Sequence, residues 1–535
     1  MSRREAVASA VLVFAIALLV RWVMASRVVF PVPEDTAYYV DVARNLVNGR
    51  GLLTDSLWSF QTPPLVVPRE AFEVWLPLPT FAAAVPMVIL GATFAAAQVS
   101  SVLIGSLVPV LAWRLAADVA EERNLPPGRA RTLAVGTGVT AAVSLPLILH
   151  SSLPDSTMPF AALTLASCLL MNRIRLGGAV GRPTGLLVLL GVVLGLAALT
   201  RNEAAWLALG WAVLAWWLPI PRRERLILVA IPGTIALAIF APWMIRDWLV
   251  FGSPLPGQAL TNALSISGTD IFAWSDPPTL SRYLDLGVGR LIEMRLTGIE
   301  HNLVDVLLVP GAPLSVIGLV ALPLMVRIRA LQPLVVVSVA IFLVTSLVFP
   351  VATTWGTFLH AAGAVHVLLV ISALLALDRL IVEVGRRRGW TRPVAWLAPA
   401  LTVSGALLFS AVILPSFGSG SVQTERQFAS IVRRMGADGL DPRSIGPVIT
   451  DAPIWLTYAG GGTAVELPFE SPASVLDLAH HFGASVVMVV NRDHPFPAAI
   501  AAGGPAASCF QEQVGGDQLM SRDDPDTRFY RVVCP

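Results

Sequence analysis

Long apolar runs separated by short polar connections fill the chain up to about residue 415. A helix crossing a hydrocarbon core needs about 20 mainly apolar residues. On that length the pattern predicts about eleven spans, near 6–26, 97–119, 132–150, 157–173, 184–200, 203–219, 226–243, 311–326, 333–352, 358–377 and 393–414. Alternate connections carry the arginines: Arg3/Arg4, Arg123/Arg129/Arg131, Arg173/Arg175/Arg182, Arg222/Arg223/Arg225, Arg327/Arg329 and Arg386/Arg387/Arg388. Short basic connections stay in the cytoplasm, so that face is read as cytoplasmic. The alternation requires that Leu76 to Phe94 does not cross; Pro77, Pro79 and Pro86 suit a helix lying along the outer surface. The first run follows a basic start and lacks an Ala-x-Ala cleavage site, which predicts a retained helix.

This register leaves three long outer regions, 27–96, 244–310 and everything after about 415. After Pro415 the pattern changes. A Gly/Ser stretch, 416–421, reads as a linker, and 422–535 alternates between helical stretches (Glu425 to Met435, Pro472 to Phe482) and strands near 447–450, 464–467, 484–490 and 529–533. The expected architecture is an α-helical polytopic membrane domain, 1–415, with a small extracytoplasmic α/β domain, 422–535. That domain holds Cys509 and Cys534, which could form a bridge at its end if the compartment is oxidising; Cys168 lies in an apolar run and reads as a core residue.

Composition sharpens the class. Of 535 residues, 55% are apolar and only 13% charged, about half the charged fraction of soluble domains. The net charge of +2 gives no electrostatic support to a nucleic-acid partner. Every strong base is arginine, since the chain has no lysine.

The chemistry-bearing residues gather in the outer regions. Glu34 and Asp35 stand where the chain leaves the first span, ahead of Tyr38, Tyr39 and the turn Asn48-Gly49-Arg50-Gly51. Acids at a helix start can simply cap it. They can also serve as a general base, because attack by an acceptor hydroxyl or amine on an anomeric carbon requires loss of a proton. Asp155 precedes another span in Ser151-Ser152-Leu153-Pro154-Asp155-Ser156-Thr157, where it can cap or face the bundle. Arg201, beside Glu203, and Arg246, beside Asp247, are outer cations suited to a phosphate or to an ion pair. His360 lies at the outer end of a span, and His366, about two turns further in, reads as a satisfied bundle histidine. His480 and His481 diverge on a helix, and Gly460-Gly461-Gly462 lacks the Lys-Ser/Thr of a phosphate loop.

The order Pro33-Glu34-Asp35-Thr36-Ala37-Tyr38-Tyr39, Ala43-Arg44-Asn45-Leu46 and Gly49-Arg50-Gly51-Leu52 resembles the first outer loop of GT-C superfamily glycosyltransferases. Trp75-Leu76-Pro77-Leu78, Leu199-Thr200-Arg201-Asn202-Glu203-Ala204, and Ala241-Pro242-Trp243 through Arg246-Asp247 with Phe251-Gly252-Ser253-Pro254 extend the likeness over roughly residues 6–380. The resemblance implies a polytopic enzyme that takes a sugar from a polyprenyl-phosphate donor within the membrane lipid. The acceptor would be a glycan, lipid or protein. Asp35, or its neighbour Glu34, would be the base, and Asp155 a second candidate. Arg201, Arg246 and His360 would meet the donor phosphate, and Tyr38, Tyr39 and Glu203 the substrate. The Gly-Arg-Phe pattern expected near His360 is absent. The outer carboxylates could supply oxygen ligands to a hard cation, but no Asp-x-Asp pair stands in the second outer connection. The likeness to the protein mannosyltransferase and lipid A aminoarabinose transferase branches implies no metal or other cofactor. The rival readings are a transporter or lipid flippase, which would place charges at midplane, and a catalytically silent binding protein.

Overall fold

A computed structural model describes residues 2–176, 184–256, 258–390, 394–513 and 526–534; Arg182 and the first residue of the 393–414 segment lie outside these. Each apolar segment predicted to span coincides with a helix or a bent pair. In chain order the helices are α1 (Arg3–Ala25), α2 (Glu34–Val47) and α3 (Leu78–Leu90), neither of the last two a predicted span, then α4 (Phe94–Glu122), α5 (Pro127–Ala142), α6 (Leu145–Ser151), α7 (Thr157–Leu176), α8 (Thr184–Ala198), α9 (Ala204–Trp216) and α10 (Arg222–Phe251). Leu314–Met325, Gln332–Leu347, Gly363–Arg387 and Leu397–Ala437 follow. Among the described residues seven helices are long and apolar enough to cross a membrane, or eight if α5 and α6, bent by 55°, form one span. Four further apolar helices are shorter, α3, the predicted surface helix, among them. The chain is a multi-pass membrane protein.

Small residues set the closest helix contacts, as expected where helices pack without a hydrophobic drive between them. A Cβ on Gly318 would stand 2.2 Å from the Leu369 carbonyl, and one on Gly105 2.2 Å from the Ser151 hydroxyl. The α5–α6 break frees a carbonyl inside the bundle, and Arg21 of α1 takes it. The Arg21 guanidinium, fully buried, donates to Ala142 O (3.0 Å) and Ser151 Oγ (3.0 Å). A broken helix at this depth survives only with such a partner.

The connections holding Arg129 and Arg329 meet at one end of the bundle. There the Glu122 carboxylate accepts from the amides of Arg329 and Ala330 (2.9 and 2.8 Å), and Arg129 pairs with Asp378 (2.6 Å). The long connections and the C-terminal domain gather at the opposite end. Ser59 and Gln61 donate to the carbonyls of Ile271 and Ala273, and Trp274 to Asp477.

The C-terminal region is α/β, as its alternating pattern predicts. Strands β1 (Leu53–Thr54) and β3 (Arg69–Glu70) form a small antiparallel pair. Strands β2 (Ser56–Leu57), β4 (Val448–Thr450), β5 (Ala464–Glu466), β6 (Val486–Val489), β7 (Phe510–Glu512) and β8 (Arg528–Val532) form one mixed sheet in the order β2-β5-β4-β6-β8-β7. One face packs on the Pro472–Phe482 helix through Val475 and Leu478, the other on Phe428 and Ile431 of Leu397–Ala437. Cys509 and Cys534 form a disulfide.

Two expectations change here. Residues 416–421 are not a linker but part of the continuous helix Leu397–Ala437. Their small side chains let the chain after α1 cross close by. Gly418 packs on Arg27, while Ser421 Oγ accepts from the amides of Val29 and Phe30 and donates to Phe30 O (3.0 Å). The second change is that β2 comes from the 27–96 connection. Ser56 lies opposite Ala464 and Leu57 opposite Val465, so the first long connection completes the domain's sheet.

Candidate active site

Four connections bring the site together. The first turn of α2 presents Asp35, the α6–α7 junction His150, Asp155, Ser156 and Thr157, the α8–α9 junction Arg201 and Glu203, and the short helix Thr357–Ala361 His360. That short helix follows Gly356, whose φ of +108° suits glycine, and a side chain there would press on the His360 ring.

His360 is the hub. Its Nε2 lies 3.3 Å from Asp35 Oδ2, and its Nδ1 lies 2.8 Å from Thr157 Oγ1 and 3.7 Å from Asp155 Oδ2. Asp155 Oδ2 is also 3.2 Å from His150 Nδ1, while Oδ1 accepts from the Thr157 amide (2.8 Å). Burial pushes the Asp155 carboxyl up, but the hydrogen bond and charge of His150, the charge of His360 and the Thr157 amide outweigh it and hold it below its ordinary value. The result is a chain, Asp35, His360, Asp155, His150, reaching from solvent into the bundle. The Asp35 side chain is 31% exposed, whereas those of His360, Asp155 and His150 are 6%, 0% and 9%, so a substrate meets Asp35 first.

Arg201 sits beside this chain. Its guanidinium grips Glu203 through two hydrogen bonds (3.0 and 2.8 Å) and donates to Ser156 Oγ (2.8 Å) and Thr357 O (3.1 Å), tying three connections together. Asp35 and Tyr39 face the same cation. Tyr39 is buried within reach of Ser156, Asp35 and Arg201.

Three predicted site residues lie elsewhere. Tyr38 is turned about 100° from Tyr39 by the helix. Fully buried, it accepts from the Phe72 amide (2.7 Å) and stacks near Trp75 within the first long connection. Arg246 is held by Glu70 (2.8 Å), Asp247 (3.0 Å) and Ala71 O (2.8 Å), which fastens α10 to that connection and occupies the guanidinium expected to meet a phosphate. Glu34 points away from Asp35 into the C-terminal domain and accepts from the Trp455 amide (3.2 Å). His360, expected at a phosphate, instead bonds the candidate base. His150 is the residue sequence reasoning missed; it stands one position before the Ser151–Thr157 stretch that drew notice.

His150, Asp155 and His360 present ligand atoms within 4.8 Å of one another, all buried, a nitrogen and carboxylate set of the type that binds zinc. Each is already hydrogen-bonded inside the protein, so a cation would displace the bond between His150 and Asp155.

No family model and no curated protein matches the chain. Solved structures do. ArnT from Cupriavidus metallidurans in the apo state aligns over 97% of both chains at 14% identity, with a TM-score of 0.55. The same protein bound to undecaprenyl phosphate gives 0.54 over 97% of both, again at 14%. The archaeal oligosaccharyltransferase AglB from Archaeoglobus fulgidus, in complex with an inhibitory peptide and a dolichol-phosphate, gives 0.53 at 13% identity, over 90% of this chain and 69% of that one. At such identities the likeness speaks for architecture. Joined to the helical bundle and its appended α/β domain, it shows that this chain shares its fold with these ArnT and AglB structures.

Proposed function

We propose that this protein is a glycosyltransferase that moves a sugar from a polyprenyl-phosphate donor to an acceptor at the outer face of the cytoplasmic membrane, with inversion and with Asp35 as general base. The observation that carries the reading is the pairing of one exposed carboxylate, Asp35, with a buried His360–Asp155–His150 chain. Solved relatives in fold that hold dolichol-phosphate or undecaprenyl phosphate support the class of donor.

The acceptor's hydroxyl or amine attacks the anomeric carbon while Asp35 takes its proton. The carbon–oxygen bond to phosphate breaks, and its electron pair leaves with the polyprenyl phosphate. His360 holds the Asp35 carboxylate in place, and Arg201 supplies a permanent positive charge beside the departing phosphate. We take the proton step to be independent of a metal, because His150 and Asp155 already bond each other and His360 bonds Thr157.

The test is release of undecaprenyl phosphate from undecaprenyl-phosphate-linked sugars by the purified full chain in lipid vesicles. Transfer is expected, with Asp35→Asn lowering it by about 10²- to 10⁴-fold in a folded protein, the usual contribution of a general base. Near-normal turnover by that variant would remove Asp35 from the chemistry. Loss of turnover in chelator and its return with zinc would instead make His150, Asp155 and His360 a metal site.

A further inference from the structure

We propose that Glu34 is a positioning residue through which the C-terminal domain sets the orientation of Asp35, so that docking of that domain on α2 switches the site on. This rests on the role given to Asp35 above.

Glu34 and Asp35 are the first two residues of α2, and helical geometry sends their side chains in different directions. Asp35 faces His360, while Glu34 meets the N-terminus of the helix Pro453–Gly460 in the C-terminal domain, where the Trp455 amide donates to its Oε1. No side chain caps α2, since its cap position is Pro33. Two further ties fasten the helix Pro453–Gly460 to α2 and to the chain just before it. The Trp455 indole donates to Pro31 O (2.8 Å), and Arg44 donates to Tyr458 O (3.3 Å) with its guanidinium 4.3 Å from the Tyr458 ring centre. The candidate base is thus held on one side by the bundle and, through its neighbour, on the other by a domain more than 400 residues along the chain.

The seat of Glu34 is acidic. Asp451, after β4, and Glu466, at the end of β5, face it, with Asp35 alongside. Asp451 is engaged by the amides of Val490 (2.8 Å) and Asn491 (2.7 Å). Glu466 is 4% exposed and accepts no hydrogen bond among the described residues. Carboxylates placed together out of water resist ionisation. Burial first, then Asp451 and Asp35, push Glu34 up to about 8, against the pull of the Trp455 and Ile454 amides; burial raises Glu466 well above its ordinary value. A group whose docked value is raised favours docking fully below its undocked value, near 4.5, and that advantage is lost as pH rises through about 8. Glutamine copies the neutral acid and keeps an oxygen for the Trp455 amide.

The experiment measures amide hydrogen exchange in α2 and in 453–460, corrected for intrinsic rates, between pH 6 and 9 on the full chain in vesicles. Alongside it, turnover of undecaprenyl-phosphate-linked sugar is followed for the unmodified protein, Glu34→Gln, Glu34→Ala and Asp35→Asn. Protection of both helices in the unmodified protein should fall by about tenfold per pH unit until Glu34 ionises near 8. Glu34→Gln should keep at least half of kcat at neutral pH and make this pH dependence shallower, leaving only the share of Glu466. Glu34→Ala should lower kcat by about tenfold with KM little changed and deprotect both helices. Loss of activity in Glu34→Gln equal to that in Asp35→Asn would overturn the proposal, making Glu34 a base. So would protection of 453–460 that is indifferent to both Glu34 variants. Full turnover by Asp35→Asn would strike the role of Asp35, while the exchange measurements would still decide the docking. If Glu34→Ala does not fold, Glu34→Gln decides alone.

Discussion

Asp35 Oδ2 and His360 Nε2 stand 3.3 Å apart, joining the two ends of the helical domain's sequence at one point. The other ring nitrogen of His360 is committed to Thr157 and Asp155, so the imidazole has little freedom to turn. The carboxylate that meets solvent is thereby fixed by groups that do not.

His360→Ala should therefore lower kcat by about 10²-fold, with a smaller effect on KM, because it frees Asp35 without removing it. Asp155→Ala should do the same and also cost stability, about 3 kcal/mol or more, by leaving His150 and His360 buried without their shared acid. Asp155 is held below its ordinary value, so its contribution is present above that value and is lost as pH falls through the lowered one. Thermal unfolding below pH 4 should accordingly separate the unmodified protein from Asp155→Asn less than unfolding at pH 7 does.

Arg201 offers a second measurement. If its charge meets the leaving phosphate, Arg201→Gln should weaken donor binding about tenfold or more and leave acceptor binding almost unchanged. Equal losses on both substrates would mark the Arg201–Glu203 pair as a clasp between the α8–α9 junction, Ser156 and Thr357, and no more. Arg246→Gln should affect neither substrate selectively, because its partners Glu70 and Asp247 belong to the framework.

How much of this was legible in the sequence follows from the range of the interactions. The helices were legible because each apolar run is long and local, and the strands at 448–450, 464–466 and 486–489 lie where the pattern placed them. Asp35 drew notice through its motif, and the structure places its carboxylate beside His360. Strand β2 was not, since two residues, Ser56 and Leu57, carry no periodicity and owe their conformation to β5. His150 was missed because its partner is set by the bend between α6 and α7, and the direction of Glu34 because Trp455 arrives from another domain. The Gly/Ser stretch at 416–421 misled for a related reason. Small polar residues loosen an isolated chain, but here Gly418 and Ser421 are the surface against which Arg27 and Phe30 close.

The disulfide gives a third measurement. A cross-link closing a loop with a separation of 25 residues is worth about 3 kcal/mol. Replacing Cys509 and Cys534 together by serine should lower the stability of the C-terminal domain by about that amount while leaving the helical bundle unchanged by circular dichroism. Unreduced protein should show one thiol, Cys168, titratable only after denaturation because it is buried.

Strand β2 has a bearing on biogenesis. The ribosome releases Ser56 and Leu57 hundreds of residues before β5, so the sheet cannot close during the early insertion steps. Until β5 emerges, the early loop waits with bare backbone groups, and a separately expressed C-terminal fragment would carry a naked β5 border inviting self-association.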